Sequence, residues 1–148
     1  MLQSKRKKGF TLIELLVVVT IITVLVTIGI VAYSSINKRS RDAKRKSDLE
    51  QVRSALEMFR SDFGYYPDTG LGNWTLTSDL STVLVATYMP AIPGDPSTGT
   101  YKYKPTAKSG TSYYGYCICG NLETGGGTNL CSSVTTLPID CNYGLKSP

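Results

Sequence analysis

The sequence predicts an α+β protein in which one long helix, transmembrane in its first half and amphipathic in its second, packs on a small antiparallel β-sheet. Three observations predict it. Residues 15–33 carry no charge. Leu49, Val52, Leu56, Phe59 and Phe63 then recur at steps of three or four, the spacing of one helix face. Beyond Pro67, short tyrosine-rich runs alternate with glycine- and proline-rich turns, as in a meander of short strands.

The uncharged run is nineteen residues long. At a rise of 1.5 Å each it spans about 28 Å, close to a hydrocarbon core of about 30 Å. Val17, Val18, Val19, Ile21, Ile22 and Val24 would favour a strand in water. In lipid every backbone group must be paired within the segment, so a single span has to be a helix. A secretory signal peptide is a competing reading. Glu14 inside the apolar stretch and the weak cleavage context at Ile30, Val31 and Ala32 argue against it. A plain single-span anchor fits hydropathy alone. Thr20, Thr23 and Thr27, with Gly29 just beyond, lie at helical spacing. They read either as a stripe for close helix–helix approach or as threonines tolerated in lipid.

Residues 38–46 read KRSRDAKRK, six basic residues with one acid. They form a solvated helix face that also meets lipid headgroups, with a DNA-binding stripe as the alternative. Basic residues flank both ends of the span, so charge alone does not orient it. The amphipathic face follows, supported by opposite charges four residues apart at Lys46–Glu50 and Arg53–Glu57. Gly64, Tyr65, Tyr66 and Pro67 end the pattern. One helix from about residue 10 to 63 would be near 80 Å long.

Residues 64–76 read as a connecting loop. Thr77 or Ser78 can cap a short helix that buries Leu80, Val83 and Leu84 and ends before Pro90. Pro93, Gly94, Asp95 and Pro96 form a turn cluster. Strands are expected at Tyr101–Lys104, at Ser112–Cys119 continuing to about Glu123, and at Cys141–Lys146, with the amphipathic half of the long helix across them.

Four cysteines fall between Cys117 and Cys141, beyond the membrane segment, which points to disulfides in an oxidising exterior compartment. Cys117 and Cys119 share one face of a strand, so a bridge between them is geometrically poor. Each therefore pairs with Cys131 or Cys141. Cys119–Cys131 with Cys117–Cys141 is the expected arrangement, because the first closes the nearer loop. A four-thiolate zinc site is the competing view. The spacing lacks the usual paired C-x₂-C form, so no metal is assigned. There is no histidine, no nucleophile elbow and no phosphate loop. Gly125, Gly126 and Gly127 read as a flexible tip, and neither catalysis nor a cofactor is expected.

The N-terminus carries the strongest motif. Residues 5–14 read KRKKGFTLIE: a basic patch, Gly9, then Phe10 opening the apolar run with one acid, Glu14. A lone carboxylate there costs about 2.5–3.5 kcal/mol on insertion scales and has to be compensated. The string resembles the class III leader of type IV prepilins and type II secretion pseudopilins. The resemblance implies cleavage between Gly9 and Phe10 by a prepilin peptidase and N-methylation of Phe10. Glu14 then meets the new α-amine one helical turn away and serves assembly. It also implies three segments: a cytoplasmic leader at 1–9, a transmembrane and assembly half-helix at 10–37, and an exported domain at 38–148. With Lys5, Arg6, Lys7 and Lys8 removed, twelve of the 16 basic residues remain against 11 acids. The formal charge of +5 is thus mostly leader. Many type IV pilins have a proline where this chain has Val31. The stretch IPGDPSTGTYKYKP resembles the Asp-Pro…Gly…Tyr-x-Tyr region of major pseudopilins and close pilin relatives. Those pseudopilins often carry an acidic C-terminal calcium site. Residues 124–139 contain no acid and only Asp140 follows, so that site is not carried over. The implied protein is a homo-oligomeric filament subunit. It is held in the cytoplasmic membrane and then moved to the cell surface by a pilus or type II secretion assembly platform. The alternatives are the major pseudopilin of a type II secretion or competence (DNA-uptake) apparatus and a membrane-tethered, non-polymerising binding domain.

Overall fold

A computed structural model of the chain describes residues 9–70, 72–125, 127–134, 138 and 141–148. The basic leader residues, Gly126 and Asp140 lie outside the described residues. The chain divides into two compact units, Met1–Asn37 and Lys38–Pro148. One helix, α1 (Leu12–Phe63), contributes to both.

In the first unit α1 is apolar all round and exposed, from Leu12 (81% exposed) to Ile30 (67%). It is long and apolar enough to cross a membrane by length and composition. The threonine hydroxyls turn back on the helix. Thr20 donates to the Val17 carbonyl, Thr23 to Val19 and Thr27 to Thr23, each at 2.8 Å. Their polar atoms are thereby satisfied without a neighbouring helix, which is what a lipid-facing threonine requires.

In the second unit the amphipathic part of α1 buries Leu49, Val52, Ala55, Leu56 and Phe59. Phe63, expected on this face, is 53% exposed and packs its ring on Phe59 instead, at 4.5 Å between centroids. The helix stops there because Gly64 takes φ +79°, the left-handed conformation that terminates helices. The two expected charge pairs do not form. Lys46 lies over the Tyr143 ring, and Glu57 accepts the hydroxyls of Tyr66 and Tyr116. A four-stranded antiparallel sheet follows in the order β1 (Thr75–Leu76), β2 (Lys102–Ser109), β3 (Ser112–Gly120), β4 (Tyr143–Lys146). The α+β architecture is the expected one.

Four strand boundaries differ from expectation. The loop before Thr77 contains β1, too short to leave a periodicity. β2 runs on through Pro105, which had marked its end. Since β1 pairs only with Lys102 and Tyr103, Pro105 lies on an open edge where a missing N–H costs nothing. β3 stops at Gly120, and β4 begins at Tyr143. The short helix is present as a 3-10 turn (Thr77–Leu80) leading into α2 (Ser81–Leu84), with Leu80 and Leu84 fully buried. Its start is secured by Asp79, whose carboxylate accepts the Leu76 N–H at 3.2 Å, rather than by a Thr77 or Ser78 cap.

Tyr103, Tyr116, Ile118 and Leu145 meet the helix in the core. Cys117 and Cys119 point from the other face of β3, where each is fully buried. The bridges are Cys117–Cys131 and Cys119–Cys141, with Cα–Cα distances of 5.8 and 5.5 Å. This corrects the expected pairing. Loop length was the wrong criterion, because register decides. Asn129 bridges Gly144 in parallel, which brings Cys131 against β4 and β3, its sulfur 3.4 Å from the Leu145 carbonyl oxygen and 3.6 Å from that of Ile118. Cys141 precedes β4 at the end where Tyr143 faces Gly120, next to Cys119. Gly144 leaves room for the crossing, since a Cβ there would stand 2.8 Å from the Cys131 sulfur.

Candidate assembly site and the clamp behind it

The residues singled out at the N-terminus sit where the chain enters α1. Gly9, Phe10 and Thr11 precede the helix, and Phe10 is 92% exposed. Glu14 is the sole charged residue between Leu12 and Asn37. Its Oε2 accepts the Thr11 N–H and the Thr11 hydroxyl, both at 2.8 Å, while the Glu14 N–H donates to Thr11 Oγ1 at 3.3 Å. This is a reciprocal capping box. Two helix-end N–H groups that lipid could not satisfy are satisfied by side chains. Sequence reasoning had paired Glu14 with the Phe10 amine alone. The Thr-x-x-Glu spacing of Thr11–Glu14 carried the missed signal. In the uncut chain the Phe10 nitrogen is an amide, and the carboxylate is held by Thr11 beside it.

The basic stretch at 38–46 does not behave as one solvated face. Lys38 and Arg39 are exposed, but Arg45 is 3% exposed. Its guanidinium grips Asp95 with two bonds of 2.7 and 3.0 Å, and it reaches Asp42 and Glu123 at 2.8 Å each. Arg41 makes a second bidentate pair with Glu123, and Lys44 pairs with Asp48. Asp42 also accepts the N–H groups of Glu123 and Thr124 at 2.9 Å and the Thr124 hydroxyl at 2.6 Å. Burial alone would raise the Asp42 carboxyl. These donors outweigh that and hold it at about 2. Arg41, then Arg45, bring Glu123 down to about 2 as well. Asp95 is lowered chiefly by Arg45.

The stretch IPGDPSTGTYKYKP supplies the other side of this clamp. Asp95 takes Arg45, and Tyr101 donates its hydroxyl to Asp48 at 3.0 Å. Tyr103 donates to the Pro67 carbonyl at 2.7 Å. Asp42, Arg45 and Asp48 therefore extend the buried helix face by two turns in charged residues. A pattern of apolar residues could not show that. The signal available was the i, i+3 spacing of these residues with Leu49 and Val52.

An exposed apolar half-helix opening on a lone capped acid, joined to a half-helix clamped on a small disulfide-bonded sheet, defines a type IV pilin-like protein. A model of the prokaryotic N-terminal methylation motif matches residues 4–30, and one of type II secretion system protein G matches residues 33–136. The chain belongs to the type II secretion system protein G family. The type IV major fimbrial protein FimA of Dichelobacter nodosus is 36% identical over 107 residues, covering 70% of this chain and 68% of the relative. The type II secretion system core protein G of Pectobacterium carotovorum is 31% identical over 108 residues, 73% of this chain and 65% of that protein. The core protein G of Pseudomonas aeruginosa is 25% identical over 143 residues, 86% and 94% of the two chains. No solved structure matches the chain.

Proposed function

We propose that the chain is the structural subunit of a type IV pilus-like filament. A prepilin peptidase cuts it between Gly9 and Phe10, Phe10 is N-methylated, and the subunit assembles with identical copies through α1. The observation that carries this is Glu14. It is the lone acid on an exposed apolar half-helix, one turn from the nitrogen that cleavage would turn into an amine. Before assembly the subunit spans the cytoplasmic membrane once, with its leader in the cytoplasm and the Lys38–Pro148 unit outside. An assembly platform then extracts it to the cell surface. The role is structural rather than catalytic. A second reading, the major pseudopilin of a type II secretion or competence apparatus, is favoured by the match over residues 33–136. DNA binding through residues 38–46 loses support, because Arg41, Lys44 and Arg45 spend their charge within the protein.

Glu14→Leu and Glu14→Ala test the proposal. Removing the carboxylate eases insertion and leaves the Phe10 amine unpaired where subunits pack, a loss of about 3–5 kcal/mol for a broken buried pair. Membrane levels and leader cleavage should hold while sheared filaments disappear. Wild-type filament yields from both variants would overturn the assignment.

A further inference from the structure

Cys117, Cys119, Cys131 and Cys141 pair first with third and second with fourth. The native bridges span 14 and 22 residues. Shorter closures compete with both: Cys117 and Cys119 are two positions apart, Cys131 and Cys141 ten, and Cys119 and Cys131 twelve. In an unfolded chain the shorter loop closes more readily. Synthesis also delivers Cys117 and Cys119 first. The interleaved pairing is selected only by register, once Asn129 lies against Gly144 of β4 and β4 lies along β3. A Cys119–Cys131 bridge takes one sulfur from each native pair, so neither native bridge can close until it is opened. In the folded unit Cys117, Cys119 and Cys131 are fully buried and Cys141 is 9% exposed. Correction must therefore precede packing.

We propose that maturation of this chain depends on a thiol–disulfide isomerase as a folding partner, and that an oxidant alone is insufficient. The exchange is redox-neutral. A thiolate of the reduced isomerase attacks one sulfur of a non-native bridge, forms a mixed disulfide and releases the other cysteine as a thiolate. A chain thiolate then attacks a sulfur of a second bridge. The cysteine freed last displaces the isomerase, whose thiolate is regenerated. Two disulfides enter and two leave, with only the partners exchanged.

The test uses the full chain in detergent, reduced in urea and then returned to folding conditions. One arm contains diamide alone, and the other contains reduced protein disulfide isomerase in a glutathione buffer. Tandem mass spectrometry of the linked peptides counts the pairings. Diamide alone should give native pairing in about a third of chains or fewer, the share expected from three connectivities. The isomerase arm should raise that share about twofold or more, to a majority. Equal native yields in both arms would overturn the proposal. A variant carrying both Cys119→Ser and Cys141→Ser leaves one possible bridge, and should form Cys117–Cys131 in diamide alone. If that variant also needs the isomerase, pairing order is not the cause and the proposal fails.

Discussion

Replacing Arg45 with methionine removes the cation at the centre of the clamp while keeping a long side chain for the buried stem. The loss does not fall evenly on its three partners. Asp42 keeps three donors from Glu123 and Thr124, and Glu123 keeps Arg41. Asp95, whose side chain is 2% exposed, loses both guanidinium bonds and retains the Ser97 N–H. One carboxylate is thus left buried without a counter-charge, which places the cost near the lower end of the range for a broken buried pair, about 3 kcal/mol. Against a total of about 5–15 kcal/mol, that is a large fraction. Urea titration of the detergent-solubilised chain with its disulfides intact measures it, and the sole tryptophan, Trp74, reports unfolding by fluorescence. The pH dependence supplies the sign. In the wild type, Asp42 and Glu123 are held at about 2. Their stabilisation is therefore full above about pH 4.5 and lost as the pH falls toward 2. In Arg45→Met, Asp95 is raised by burial, so protonation favours its folded form and acid partly relieves the defect. The gap between the proteins should shrink from pH 7 to pH 3, and Asp95→Asn added to Arg45→Met should recover part of the loss. A loss under about 1 kcal/mol, the range of exposed pairs, or a gap constant with pH would refute the clamp.

Mass spectrometry of the mature protein should find an N-terminus at Phe10, about 14 Da heavier when monomethylated; an intact Met1 would exclude processing. Leu56→Ala, at a fully buried site, should cost about 2–5 kcal/mol in urea titration. Phe63→Ala, on the same helical stripe by spacing, should cost about 1 kcal/mol or less, and equal losses would contradict the packing. Tyr103→Phe strands the buried Pro67 carbonyl that its hydroxyl serves and should cost about 1–3 kcal/mol in the same titration.

The long helix was legible because both halves speak in periodicity: an uncharged run, then Leu49, Val52, Leu56 and Phe59 on one face. Gly9, Phe10 and Glu14 stood out because a charge in an apolar run is rare. What escaped depended on partners far along the chain. Arg45 looks like any surface arginine until Asp95 and Glu123 fold around it, and Asp42 is the single acid in a basic run. Phe63 fits the helical spacing and yet is 53% exposed, its ring resting on Phe59 and Tyr65. The cysteine pairing was set by β4 register, which no loop length encodes. Pro105 misled for the opposite reason, since a local strand-breaking signal was tolerated by an open edge.

Mechanically, the clamp is a shear joint. A pull along α1 from its N-terminal side enters the Lys38–Pro148 unit at Arg41, Asp42 and Arg45, ahead of the apolar contacts from Leu49 onward. There the load divides between two anchors. One runs through Asp95 into the loop before β2. The other runs through Glu123 and Thr124 to Leu122, which exchanges hydrogen bonds with Asn142 beside the Cys119–Cys141 bridge. Tension on the helix is thereby spread over charge-assisted bonds acting in parallel and handed to a covalent cross-link, so the hydrophobic core is not the first element to bear it.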